Sequence, residues 1–113
     1  MRAHGAVASK ALGGDATVDA VLADLSTAPI GEPLRATLGF LAKVTRDHAT
    51  VTADDVKPMI AAGVTRAQID DALLVGWCFN VITRLADTFE FHVGPRSAFD
   101  ASAKFLLGRG YRL

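Results

Sequence analysis

The sequence contains one cysteine, Cys78, among its 113 residues. No disulfide can form within the chain, and a cysteine-rich zinc site would need ligands from other chains. This composition favours a reducing, cytoplasmic compartment. The three histidines, His4, His48 and His92, are far apart and lack the close spacing typical of paired metal ligands. We therefore expect no metal site, and no sequence motif indicates another cofactor.

The sequence also lacks an excess of charge and any long apolar run. Lys and Arg together number 12, as do Asp and Glu, and without a basic face we expect no nucleic-acid partner. The longest apolar stretch, from residue 72 to residue 79, is far shorter than the roughly 20 residues that cross a bilayer. We expect no membrane span. Because the net charge is zero, copies of the chain repel one another little, which favours a homo-oligomer.

What the sequence does contain is typical of a globular protein. Apolar residues make up 50% of the chain and charged residues 21%, and a chain of this length suits one domain over residues 1–113. Apolar residues recur with the helical period in several segments, and no strand pattern is evident. The predicted fold class is all-α: a compact bundle of five to six helices around one long central helix.

Turn and capping signals predict where these helices begin and end. A first helix over residues 4–12 should end at the glycine pair that follows, and a second should run to about Leu25. Pro33 suits the first turn of a third helix that ends near Arg46. Thr52 and Asp55 predict the N-terminal cap of a short helix, and a glycine is expected to end that helix.

The strongest helical signal begins at Thr65, which forms a capping box with Gln68. It predicts a long helix to about residue 89, and its apolar residues recur every fourth position. This row is expected to face the core: Ile69, Leu73, Trp77, Val81, Leu85 and Phe89. A last helix should follow, capped by Ser97.

Three polar residues lie within the otherwise apolar long helix. Asn80, Arg84 and Asp87 are spaced by four and three residues, so they can meet on one helix face. They could form part of a binding cleft or a proton relay. The more common arrangement is an Arg84–Asp87 ion pair that fixes helix packing or a subunit contact, with Asn80 capping a neighbouring turn.

The remaining candidates favour structural roles. Cys78 lies between Trp77 and Phe79, where a thiol behaves as a small apolar group and burial disfavours the thiolate. We therefore expect Cys78 to be buried as packing and not to act as a redox cysteine. His48 and His92 lie in predicted loops and are expected to be solvated or structural.

Short segments spread over nearly the whole chain resemble, in their order and spacing, those of a known protein family. They are TAP at 27–29, LRA at 34–36, FLAKVT at 40–45, VTADDV at 51–56, AG at 62–63, IDDA at 69–72, FN at 79–80, RLAD at 84–87 and LLGRGYR at 106–112. Together they resemble the peroxidase-related branch of the carboxymuconolactone decarboxylase / alkylhydroperoxidase D-like family. The resemblance implies an all-helical subunit that associates as a trimer or hexamer.

The resemblance also implies a chemistry. Such proteins reduce hydroperoxides with a Cys-x-x-Cys pair, followed four residues after its second cysteine by a histidine that relays protons together with a glutamate. The AHGA segment at residues 3–6 resembles the stretch that contains this histidine, so His4 is the implied proton-relay residue. On that alignment the second cysteine would fall immediately before Met1, and Thr83 stands where the family more often has Asn. Either the chain is part of a longer protein, or it is a shortened relative that has lost the thiol chemistry.

These observations leave several functions open. The first is an alkylhydroperoxidase-like oxidoreductase acting on a small hydroperoxide, expected to be inactive as a thiol peroxidase in this form because the cysteine pair is missing. The alternatives are a non-enzymatic helical module for oligomerisation or for binding an apolar ligand, and a lactone decarboxylase-like enzyme.

Overall fold

The computed structural model describes residues 2–110 and, from His4 onward, their side chains. Over this range the chain forms six α-helices and two short 3-10 helices, without a strand, so the predicted all-α class is confirmed. The α-helices are α1 (Arg2–Ala11), α2 (Asp15–Ala23), α3 (Glu32–Arg46), α4 (Lys57–Ala61), α5 (Arg66–Thr88) and α6 (Arg96–Arg109). The 3-10 helices, His48–Thr50 and Ala53–Val56, lie between α3 and α4.

Local capping chemistry accounts for most of the helix boundaries. The predicted capping box at Thr65 is confirmed, since its backbone N–H donates to Gln68 Oε1 at 2.9 Å and its hydroxyl accepts from the Gln68 N–H. A second capping box joins Thr52 to Asp55. The prediction for Ser97 is wrong: α6 begins one residue earlier, at Arg96, after the extended backbone of Pro95.

The chain falls into two compact units. Within the described residues, the terminal unit comprises residues 2–29 and 90–110, and the middle unit comprises residues 30–89. The single domain expected from chain length stays a prediction.

The middle unit has its own apolar core, in which Met59 is fully buried. Met59 packs with Phe40, Val64 and Ile69, which come from α3, from the turn after α4 and from α5. Gly63 adopts a φ of 84°, a left-handed conformation that glycine allows at little cost, and so ends α4 and directs Val64 into this core. Burial of each large side chain stabilises the unit by about 1.5–3 kcal/mol.

The terminal unit is held together by close helix packing and an ion pair. Helix α1 packs against α6 and α2, and the small side chains of Ala6 and Ala103 are buried. Arg96 at the start of α6 pairs with Asp15 at the start of α2, with an Nη2–Oδ1 distance of 2.9 Å. Arg96 also pairs with Asp100, one turn further along α6.

The apolar row predicted to face the core along α5 is buried only at Ile69; the other five members are exposed. Each residue of an α-helix advances about 100°, so a step of four residues overshoots one turn by about 40°. Five such steps carry the row roughly 200° around the helix axis. The row therefore begins on the side that packs against α3 and ends on the opposite side, and the expectation of one inward face is wrong.

Candidate functional site

Asn80 and Arg84, two of the three polar residues predicted to meet on α5, do lie together. The Asn80 side-chain amide donates to the Gly76 carbonyl at 2.9 Å and, more weakly, to the Thr45 hydroxyl of α3 at 3.4 Å. Arg84 Nη1 donates to the Asn80 carbonyl at 3.1 Å and lies 3.4 Å from Asn80 Oδ1. Asn80 therefore links α5 to α3 and orients the guanidinium beside it.

Asp87 does not join this group, and the predicted Arg84–Asp87 ion pair is wrong for the part of the chain that the structure describes. Side chains on an α-helix lean towards its N-terminus. Arg84 accordingly reaches back one turn to Asn80, whereas Asp87 lies on the C-terminal side of Arg84 and is exposed. The predicted cap is also different, because Asn80 bonds within its own helix and to a side chain of α3.

These polar groups border a groove between α3 and α5, which we call the α3–α5 groove. It encloses about 450 Å³, within the usual range for small-molecule sites. The α3 side contributes Leu41, Val44 and Thr45, followed by His48, and the α5 side contributes Leu73, Gly76, Trp77, Asn80 and Arg84. The groove thus combines apolar walls with a polar end.

The α3–α5 groove is lined by a positively charged residue and by no negatively charged one. No Asp or Glu is among its lining residues. Among residues 2–110, no carboxylate lies within ion-pair distance of Arg84. The guanidinium is therefore a positive charge at the polar end of the groove without a negative partner there.

A second groove, in the terminal unit, is lined by both acidic and basic residues. It encloses about 500 Å³ and includes Ser9, Asp15, Asp19 and Arg96 among its lining residues. A hydrogen bond from the buried Ser9 hydroxyl and the neighbouring Arg96 guanidinium hold the pKa of the Asp15 carboxyl below its ordinary value. The Arg96–Asp15 pair in this groove joins α2 to α6, and Asp19 adds a second carboxylate, so the lining carries more negative than positive charge.

His4, the residue implied to relay protons, lies on α1 in the terminal unit and its side chain is exposed. The next residue, Gly5, lines the terminal-unit groove. Cys78 belongs to the middle unit.

The expected burial of Cys78 is wrong for the single chain, in which this residue is exposed. It lies about 200° around α5 from Gly76, given 100° per residue. Gly76 is the position at which α5 comes close to Leu41 of α3. The neighbours of Cys78 on the same helix face are exposed as well. Apolar neighbours in the sequence therefore do not by themselves predict that a residue is buried.

The other histidines also have defined places. His48 begins the first 3-10 helix and lines the α3–α5 groove, and His92 is exposed between α5 and α6. Within residues 2–110, no three His, Cys, Asp or Glu side chains come together in a group that could hold a metal ion.

Of the residues that line the α3–α5 groove, only Asn80 and Arg84 were predicted as candidate site residues; Thr45 and Trp77 are two of those that were missed. Thr45 continues the apolar stripe of α3 that contains Leu38 and Leu41, and a polar residue at the end of such a stripe could have signalled a site. Trp77 precedes Arg84 by seven residues, which places both on the same side of a helix. Trp77 was instead predicted to belong to the row of apolar residues that faces the core.

The side of α5 turned away from α3 carries an exposed apolar surface, which we call the outer face. Between Asp71 and Asp87 the only charged residue is Arg84, which lies at the groove. The outer face consists of Leu74, Cys78, Val81, Ile82 and Leu85, all exposed. Contiguous exposed apolar surfaces of this kind mark interaction sites more often than plain solvent-facing surface.

The chain matches no protein-family model, no curated protein and no solved structure. The resemblance noted in the sequence therefore stays a prediction. Among the helices of residues 2–110, none combines the length and apolar character that crossing a membrane requires.

Proposed function

We propose that this chain is a self-associating helical subunit and that the outer face of α5 forms the contact between copies. The observation that carries the proposal is the exposure of Leu74, Val81, Ile82 and Leu85 on one side of a 23-residue helix. Transfer of such side chains out of water contributes about 1.5–3 kcal/mol each when burial is complete. A second copy of the chain presents the same apolar surface and can therefore cover this one.

The spacing of the outer face suits helix-to-helix association. Leu74, Cys78, Val81 and Leu85 follow one another at intervals of four, three and four residues, the spacing with which helices interlock in a coiled-coil seam. The net charge of zero adds little repulsion between copies. The trimer or hexamer implied by the family resemblance is compatible with such a contact.

We do not propose hydroperoxide reduction by this 113-residue chain alone. Its single cysteine has no second thiol in the same chain with which its sulfenic acid could condense, so turnover would need a thiol from another molecule. Membership of the alkylhydroperoxidase D-like family remains a proposal based on the resemblance. We do not propose lactone decarboxylation.

The test is sedimentation equilibrium of the wild-type chain and of Leu74→Glu. We expect a wild-type mass above 11.9 kDa that rises with concentration. In Leu74→Glu we expect self-association to weaken at least about tenfold, because a charge would be buried in an apolar contact. Leu74 is 59% exposed in the single chain, so the substitution should leave the monomer fold intact, as circular dichroism can verify.

Ile60→Glu is the matched control. Ile60 is 62% exposed and lies in the same unit, on α4 instead of α5, so this variant makes the same type of change away from the outer face and should associate like the wild type. A wild-type chain that stays monomeric at every concentration, or equal losses in the two variants, would refute the proposal.

A further inference from the structure

We propose that the α3–α5 groove binds an amphipathic monocarboxylate, with the apolar chain along its walls and the carboxylate at Arg84. This binding site is distinct from the outer face, and the inference does not depend on self-association. It rests on the combination of apolar walls, an uncompensated guanidinium and the absence of acidic lining residues.

The apolar part of the ligand is defined by the walls. Leu41 and Val44 of α3 face Leu73 and Trp77 of α5 across the groove. The Trp77 and Leu73 side chains are partly exposed there, so covering them with an alkyl chain removes apolar surface from water. The enclosed volume of about 450 Å³ accommodates a chain of medium length.

The charged end of the ligand is defined by Arg84. Arginine has five N–H donors, and their geometry lets two of them donate to the two oxygens of one carboxylate. Of these donors, Nη1 bonds to Asn80, which restrains the guanidinium at the end of the groove and leaves other N–H groups for a ligand. The nearby Thr45 hydroxyl adds a neutral donor.

The charge of the groove selects between ligand classes. Arg84 is its one permanently charged lining residue, so a single negative charge is matched, whereas a phosphate monoester would bring excess negative charge. A cationic amphiphile would meet repulsion from the guanidinium. The terminal-unit groove offers no such selectivity, since Arg96 is already held by Asp15 and Asp100.

The test uses the fluorescence of Trp77, the only tryptophan in the chain, during titration with decanoate below its micelle concentration. We expect a saturable change in emission with decanoate. Acetate, which has the charge without the chain, and decyltrimethylammonium, which has the chain with the opposite charge, should produce none. Equal binding of the cationic and anionic amphiphiles would overturn the proposal, because it would indicate adsorption to apolar surface alone.

Two arginine variants make the test residue-specific. Arg84→Gln should weaken decanoate binding about tenfold, the effect of losing one charge-assisted contact at a partly exposed site. Arg66→Gln makes the same change on the same helix, about 27 Å away at 1.5 Å per residue, and should bind like the wild type. Equal affinities in the wild type and both variants, or equal losses in the two variants, would overturn the proposal.

The same titration in the Leu74→Glu background separates this site from the subunit contact. Leu74 belongs to the outer face and does not line the groove. Decanoate should bind Leu74→Glu with unchanged affinity even if that variant is monomeric. Loss of decanoate binding together with loss of self-association would refute a groove formed within one chain.

Discussion

Gly76 is a residue of the groove at which α5 comes close to Leu41 of α3. A Cβ added there would lie 3.2 Å from Leu41 Cδ2, which is tighter than an ordinary contact. That atom is the end of a flexible side chain bordering an open groove, so it can rotate away. Alanine is favoured over glycine within a helix by about 1 kcal/mol. We predict that Gly76→Ala raises the free energy of unfolding by about 0.5–1 kcal/mol, measured by urea denaturation.

A double-mutant cycle with Leu41→Ala tests the physical reason for this gain. Leu41→Ala removes the only side-chain atom near the added Cβ, so Gly76→Ala should then gain a similar amount in both backgrounds. A loss of stability in the wild-type background together with a gain in the Leu41→Ala background would mean that Leu41 cannot move, contrary to the prediction.

At the residue scale, the sequence identified part of the candidate site. The helical spacing of Asn80 and Arg84 correctly predicted that they meet. The spacing of Arg84 and Asp87 is equally favourable, yet side-chain direction along the helix decides against that pair. The exposure of Cys78 depends on which elements cover α5, which its immediate sequence neighbours do not specify.

At the element scale, an ion pair ties α3 to the capped turn before α4. Lys43 Nζ lies 2.6 Å from Asp55 Oδ1, and the two side chains are only partly exposed. The other Asp55 oxygen accepts from the Thr52 backbone N–H at 2.7 Å. The Lys43 hydrogen bond, followed by that of the Thr52 backbone, holds the pKa of Asp55 below its ordinary value of 3.8.

This lowered pKa predicts how stability depends on pH. The unfolded chain takes up a proton at Asp55 at higher pH than the folded chain does, so the contribution of Asp55 is complete above 3.8 and is lost as pH falls through the lower, folded pKa. We predict that Asp55→Asn lowers the urea midpoint at neutral pH. The difference from the wild type should shrink well below pH 3.8.

Asp54→Asn is the control for this prediction. Asp54 is in the same turn and pairs with Lys57, but both of these side chains are largely exposed, so its loss should change the midpoint little. A gap between wild type and Asp55→Asn that stays constant through acid pH would contradict a contribution from the ionised carboxylate.

Helix positions were more predictable than helix faces. Capping boxes and prolines act over a few residues, so the bounds of α3 and α5 follow closely from the sequence. The side of α5 that is covered depends on tertiary packing with α3. A repeat of four residues drifts around the helix, so the sequence row from Ile69 to Phe89 could not lie on one covered side.

At the scale of the whole molecule, the chain combines a net charge of zero with a long helix that keeps much of its apolar surface exposed. A second copy would cover this surface. The charge balance and the family resemblance favoured self-association, but Val81 and Leu85 were expected to face the core of one chain. Both side chains are exposed in the single chain, and the proposed contact would place them between copies.

The most direct test of that role is the reactivity of Cys78, which lies in the middle of the outer face and is the only thiol in the chain. We predict that the rate constant for its modification by a maleimide falls as the wild-type protein concentration is raised through the range of self-association. In Leu74→Glu the rate constant should stay high at every concentration. A wild-type rate constant that does not change while the protein associates would place the contact elsewhere and contradict the account.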